Sequence, residues 1–236
     1  MWGSEVDGRV LTFHLVGINN QNFVMQDAET GTWWQQVTGE AILGPLKGRR
    51  LTLVAFDQLT FDAWRRESPR GRVLAPDPAV VAAKRYAHED WETTMQSNPA
   101  PLSAAGDSRL PPRMLVIGVE HGGTARAYRA EDVDAARIVL DDLGGTAIAI
   151  VRAPDGRSTR VFDRTIDGRA IDLLARTDAE PFRLVDAGTG SEWDFSGAAV
   201  SGPLKGRRLT RLPFLEEYWF DWKAYHPATD VARHAF

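Results

Sequence analysis

The chain has 236 residues, 43% hydrophobic and 25% charged, with 28 Lys and Arg against 32 Asp and Glu for a net charge of −4. This is the composition of an ordinary globular protein; it gives no global case for nucleic-acid binding, and no apolar run reaches the roughly 18 residues needed to span a membrane. Cysteine is absent, which removes disulfides, thiolate nucleophiles and Cys-ligated metal centres. The opening MWGSEVDGRV has neither the basic nor the apolar region of a signal peptide.

In chain order, Val10 to Val16 and Phe23 to Gln26 predict strands. Asp27 to Gly31 is a polar, Gly-ended turn, and Trp33 to Val37 a further strand. Gly44-Pro45 and Gly48 mark a tight loop before a strand over Arg50 to Ala55. Phe61 and Trp64, three apart, predict a short helix over Thr60 to Glu67. Ala79 to Gln96 reads as an amphipathic helix with Val80, Ala83, Ala87 and Trp91 near one face, and Asn98 to Arg113 as an extended linker. From Met114 a hairpin follows: Leu115, Ile117 and Val119 alternate, His121-Gly122-Gly123 turn, and Ala125 to Tyr128 return. Strands over Ile138 to Leu140, Ala147 to Arg152 and Thr159 to Asp163 are separated by Gly144-Gly145 and Pro154-Asp155-Gly156. A second short helix spans Glu216 to Tyr225, and both short helices stop before a proline, Pro69 or Pro227.

The nonamer GPLKGRRLT occurs at 44–52 and again at 202–210. The match extends outward: Asp-Gly-Arg at 7–9 and 167–169, Thr-Gly at 30–31 and 189–190, Trp34 and Trp193, Gly39 and Gly197, Trp64 and Trp222. The offset drifts only between 160 and 158 residues. An internal duplication is the reading. It divides the chain into a first module over 1–78, a helix and Pro-rich linker over 79–113, and a second module over 114–236. Nothing like 114–163 precedes Asp7, so the first module reads as N-terminally incomplete and in want of a partner segment to complete it. The fold class expected is mainly β with short helices (α+β), as two related barrel-like or sandwich-like modules.

The run GINNQNFVMQDAETGTWWQQVTGEAILGPLKGRRL at 17–51, RLPP at 109–112, IGVEHGGTARAY at 117–128 and FDWKAYHP at 220–227 resemble the bacterial family called domain of unknown function 3179. The resemblance covers nearly the whole chain and implies no activity. It implies that members usually begin with a Cys-containing segment upstream of the position of Asp7. It further implies that they often carry export signals, which suggests an extracytoplasmic or envelope setting. A truncated fragment of a longer member is therefore one reading of this chain.

Residues kept in both copies are expected to hold the fold, and residues unique to one copy are where function is sought. The first copy carries a dense polar set: His14, Asn19, Asn20, Asn22, Asp27, Gln35 and Gln36, beside Trp33 and Trp34. These are the ligand-binding candidates, since amides both donate and accept; the alternative is a turn and a solvated strand face. The eight tryptophans are core anchors or, around Trp33 and Trp34, an aromatic wall. His121 in its turn and His226 at a helix end read as structural. Arg49-Arg50 and Arg207-Arg208 read as ion pairs or a solvated rim rather than a phosphate loop. No metal-ligand or nucleophile-elbow spacing occurs, so no metal is expected and no cofactor is named. The leading functional reading is a non-catalytic ligand-binding or structural module of the envelope. An enzyme with a polar site around His14, Asp27 and Gln35 is the alternative.

Overall fold

A computed structural model describes residues 1–19, 22–83, 90–98, 107–176 and 179–233. The chain opens with a ribbon, β1 (Glu5–Val6) and β2 (Arg9–Val10), followed by β3 (Phe13–Asn19), β4 (Asn22–Asp27), β5 (Trp33–Gln35) and β6 (Ala41–Leu43). Three short helices follow, α1 (Phe61–Glu67), α2 (Pro78–Ala82) and α3 (Trp91–Ser97). Then come β7 (Leu115–His121), β8 (Thr124–Arg129), α4 (Ala130–Ala136), β9 (Ile138–Leu143), β10 (Thr146–Arg152) and β11 (Thr159–Asp163). A second ribbon, β12 (Thr165–Ile166) and β13 (Arg169–Ala170), leads into β14 (Leu173–Arg176), β15 (Arg183–Asp186), β16 (Glu192–Asp194) and β17 (Ala199–Ser201). The chain closes with β18 (Thr210–Leu212), β19 (Leu215–Tyr218), α5 (Trp219–Tyr225) and β20 (Asp230–Val231).

The protein is mainly β. Its sheets are open: β3-β4-β5-β6, β14-β15-β16-β17, β18-β11-β10-β9 and β19-β7-β8-β20. The barrel-like closure expected from the sequence does not form among the described residues, because the two edge strands of each four-stranded sheet do not meet. The sheets bury their faces against one another instead. The central sheet β18-β11-β10-β9 packs Ile148, Ile150 and Val161 on Ile117, Val119 and Tyr128 of β7 and β8. Its other face packs Ala149, Val151 and Phe162 on Leu173, Leu184 and Trp193. The far side of β7–β8 packs Val116 and Ala127 on Trp219 and Trp222 of α5. The β3–β6 sheet has its own smaller core of Val6, Leu11, Trp34, Ala41 and Leu51, with Trp2, Phe13 and Met25.

Several strand readings shift. Val10 to Val16 splits at Leu11-Thr12 into β2 and β3, and Arg50 to Ala55 makes only isolated bridges, Glu40 to Arg50 and Trp2 to Leu53. The helix expected from Glu216 begins at Trp219, because Leu215 to Tyr218 pairs with β7 as strand β19. The helix expected over 79–96 is found as two short pieces, α2 and α3; Ala87 lies outside the described residues. The helix at 60–67 forms as expected, with Thr60 as N-cap accepting from the Ala63 N–H.

The hydrogen bonds around the two nonamers recur. Asp27 accepts from the Thr30 N–H and hydroxyl, Thr32 accepts from the Leu46 N–H, and Leu51 N–H donates to the Gly39 carbonyl. Asp186, Thr189, Ser191, Leu204, Leu209 and Gly197 repeat those bonds. Arg49 pairs with Asp7 at 3.0 Å, and Arg207 pairs with Asp167, so one arginine of each pair is an ion-pair residue, as expected. Trp34 and Trp193 are both fully buried, but only Trp34 donates its Nε1–H to the carboxylate, Asp27, at 2.8 Å.

The segment after β6 is fastened to the central sheet by one buried cation. Arg160 of β11 is 2% exposed and binds Glu67 of α1 through both nitrogens at 2.8 and 2.7 Å and Asp57 at 2.8 Å. Its guanidinium lies 4.7 Å over the Phe195 ring. Removal of Arg160 leaves Glu67 part-exposed and Asp57 still paired with Arg211 at 2.7 Å, so what is lost is charged hydrogen bonds and packing, about 1–3 kcal/mol. Arg160→Ala should therefore destabilise the protein by about that amount in urea unfolding, while Arg66→Ala, whose partner Asp62 is exposed, should stay within about 0.5 kcal/mol.

Candidate functional site

Strand alternation sends neighbouring side chains to opposite faces. On β19, Glu216 lies opposite Ile117 and Glu217 opposite Val116. Glu216 therefore faces the central sheet, where Arg152 meets it at 3.1 Å. Glu217 faces the α5 side, among apolar and aromatic residues. Its Oε1 is shut off from solvent and has no hydrogen-bond partner among the described residues, while the residue as a whole is half-buried and lines the adjoining cavity. Burial, with the nearby Asp221 charge adding to it, pushes the Glu217 carboxyl up to about 8.

Helix α5 supplies the second carboxyl. Asp221 and Tyr225 are four apart and share a helix face. Burial raises Asp221 to about 6, although the Asn22 amide, donating to its Oδ1 at 2.5 Å, opposes the rise. Burial and the two acids also raise Tyr225, whose hydroxyl donates to the Asn19 carbonyl at 3.2 Å.

The opposing wall is the outer face of the β3–β6 sheet. Asn19 lies opposite Asn22, and Val24 opposite Gln35, so these four share one face. Asn19 Nδ2 donates to Gln35 Oε1 at 3.3 Å, and the buried Gln35 Nε2 has no partner among the described residues. Beside these groups runs a cavity of about 750 Å³, lined among others by Trp2, Asn22, Gln36, Glu120, Glu217 and His226. That volume suits a small molecule. His226 stacks on Trp222 at 3.6 Å, with Nδ1 3.0 Å from the Trp222 carbonyl and Nε2 3.3 Å from Glu120. Gly118 admits this stack, since a Cβ there would come within 2.3 Å of the Trp222 ring.

Of the residues singled out from the sequence, Asn19, Asn22 and Gln35 converge against α5, and Gln36 lines the cavity while its carbonyl accepts from Trp2 Nε1 at 2.6 Å. His14 and Trp33 lie toward the other end of the same outer face, exposed. Asp27 and Trp34 face the core on the opposite side and are bonded to each other, with Asp27 held below its ordinary range by its donors despite burial. His14, Asp27 and Gln35 thus do not form one pocket. Asn20 lies outside the described residues. Reasoning from the sequence missed Glu217, Asp221, Tyr225 and the Glu120–His226 pair. The signal for the acids was the run EEYWFDW, which sets three carboxylates among four aromatic residues. Among the described residues no group of three or more His, Asp or Glu is placed to hold a metal ion.

The geometry defines a mainly β protein with a cavity of small-molecule size beside two enclosed carboxyl groups. The chain belongs to the family described as protein of unknown function, DUF3179, whose model matches residues 1–229. No curated protein and no solved structure matches it.

Both carboxyls are raised in the fold above their ordinary values of 4.5 and 3.8, so the folded state holds protons that the unfolded chain releases. Their contribution is present in full below about pH 4 and is lost as pH rises through about 6 and then about 8. The loss amounts to a few kcal/mol, on the order expected for shifts of this size. Urea unfolding should show stability falling from pH 5 to pH 8.5, and Glu217→Gln should remove most of that fall.

Proposed function

We propose that the protein binds a small organic cation, an amine or guanidinium compound, in the cavity beside α5, with Glu217 as its charged anchor. The observation that carries this reading is the Glu217 carboxyl, which lines the cavity and has no bonded partner among the described residues. A ligand cation would supply the missing charge partner and so favour the ionised carboxylate despite its burial. Asn22 and Gln36 would orient the ligand, and the Trp222–His226 stack and Trp2 would wall its apolar part. Asn19 and Gln35 hold Asn22's strand against α5 and act as positioning residues. This keeps the sequence-based preference for binding over catalysis and moves the anchor from the first copy to the second.

A second reading is favoured by the two carboxyls themselves. Two acids with values near 6 and 8 straddle neutrality, so one is ionised while the other is protonated. Such a pair suits proton transfer, with Asp221 as base and Glu217 as acid. An enzymatic role would then sit here rather than at His14, Asp27 and Gln35.

The duplication is part of the same proposal. The recurring hydrogen bonds around both nonamers support an origin of 1–78 and 114–236 from one ancestral module, joined through 79–113. Asp221 stands where the first copy has Ala63 and Tyr225 where it has Glu67, at an offset of 158, so the acid on α5 belongs to one copy alone.

Calorimetric titration with agmatine tests the binding reading. At pH 8.5 saturable one-to-one binding is expected, weakening at least tenfold at pH 6 and at least tenfold in Glu217→Gln. Absence of binding to the folded protein, or equal binding to the variant, would sink it.

A further inference from the structure

The inner face of the β3–β6 sheet is only half covered. Trp34 and Ala41 are buried there, yet Leu15, Ile18 and Phe23 on the same face are 57%, 67% and 50% exposed. The register fixes the face: Ile18 lies opposite Phe23, Leu15 opposite Met25, and Met25 opposite Trp34. The bulge at Val16, between Leu15 and Gly17, lets Leu15 and Ile18 share a face although they are three apart. A contiguous apolar strip on a sheet is unlike the single exposed apolar residues of ordinary surfaces.

The corresponding face of the β14–β17 sheet shows what covers it. Phe182, which matches Phe23 at an offset of 159, is 8% exposed, and Leu184, which matches Met25, is fully buried. Their cover is the β9–β10 hairpin, which presents Ile138, Leu140, Ala149 and Val151. It reaches that face by pairing β10 with β11, whose other edge holds β18. In the first copy Trp2 takes the place of Phe162. A Cβ on Gly39 would meet the Trp2 ring at 2.8 Å, as one on Gly197 would meet Phe162 at 2.6 Å. Trp2 bridges to Leu53, flanked by Gly3 N–H to Thr52 O at 2.8 Å and Val54 N–H to Met1 O at 2.9 Å. In such an antiparallel bridge the N–H and C=O of Trp2 itself point to the other edge. No described strand pairs with that edge.

We propose that this edge and face are a docking site for a β-hairpin of a partner polypeptide, which adds a strand beside Trp2 and lays small and β-branched side chains over Leu15, Ile18 and Phe23. Main-chain bonds supply the attachment and alternate side chains the fit. The inward chemistry is set by the covered twin: Ile and Leu on one strand, Ala and Val on the other. The strip contains no charged side chain, so an uncharged hairpin face is what it accepts. Leu15, Ile18 and Phe23 lie outside the cavity lining, whereas Trp2 belongs to both, so a change at Phe23 tests the docking face apart from the cation reading.

The test uses the whole chain and a fluorescently labelled synthetic peptide with the sequence of Ile138–Arg152. Saturable one-to-one binding is expected by anisotropy. It should weaken at least tenfold with Phe23→Asp in the protein, and equally with the peptide residue matching Val151 changed to Asp. Leu43→Asp, on the opposite face and 55% exposed at the wild-type residue, should leave it within twofold. Both protein sites are exposed, and thermal melts confirm that the variants fold. No saturable binding to the folded protein, or an equal loss with Leu43→Asp, overturns the proposal. A dimer in light scattering that Phe23→Asp dissociates also overturns it, by giving the face to a second copy of the chain.

Discussion

The alternation of β19 decides where the protein's charge goes. Two adjacent glutamates point to opposite faces of one strand, and the two faces differ in what awaits them. Glu216 meets Arg152, itself held by Asp134 at 2.6 Å and by the Thr159 hydroxyl at 2.6 Å, and becomes part of a closed ionic network. Glu217 meets no cation among the described residues. A carboxyl in that position stays neutral near pH 7 or waits for a donor from outside. The pairing of β19 with β7 leaves no third orientation, and the packing of Trp219 and Trp222 on Val116 makes that side of the strand apolar.

The two nonamer regions show how one local design serves two settings. In each, an aspartate gathers the turn that follows it, a glycine with positive φ, Gly39 or Gly197, brings the chain against an aromatic ring, and a tryptophan fills the sheet's inner face. In the second setting the central sheet covers that tryptophan. In the first, the cover is Trp2 with Val6, Leu11 and Leu51, and the apolar strip beyond it is open. The outer face of the first sheet, by contrast, is turned to α5. Its amides meet Asp221 and Tyr225 there, so the site joins residues about 200 positions apart in the chain.

Much of the fold was legible from local chemistry. The hairpin at 115–129, with Gly122 and Gly123 both at positive φ, and the strand at Thr159–Asp163 follow from alternation and turn glycines. The repeat located the matched turns and their ion pairs. What was not legible depended on partners distant in sequence. Glu216 to Tyr218 has helical company on its C-terminal side, and only β7 makes it a strand. The site was half legible. Asn19, Asn22 and Gln35 stood out as a polar cluster, but spacing alone does not say which face each takes once Val16 bulges. Asp27 looked like a site residue and is a turn-binding one, since its donors lie within seven residues. Glu217 and Asp221 were overlooked because a carboxylate in an aromatic run has no motif; its meaning comes from the cavity beside it.

The central claim is that Glu217 is an enclosed acid held protonated at neutral pH. The most direct measurement is the carboxyl carbon NMR shift of Glu217 across pH, assigned by comparison with Glu217→Gln. A titration midpoint near 8 that drops in Asp221→Asn is the result expected from burial and the neighbouring charge. A midpoint in the ordinary glutamate range, unmoved by Asp221→Asn, would contradict it.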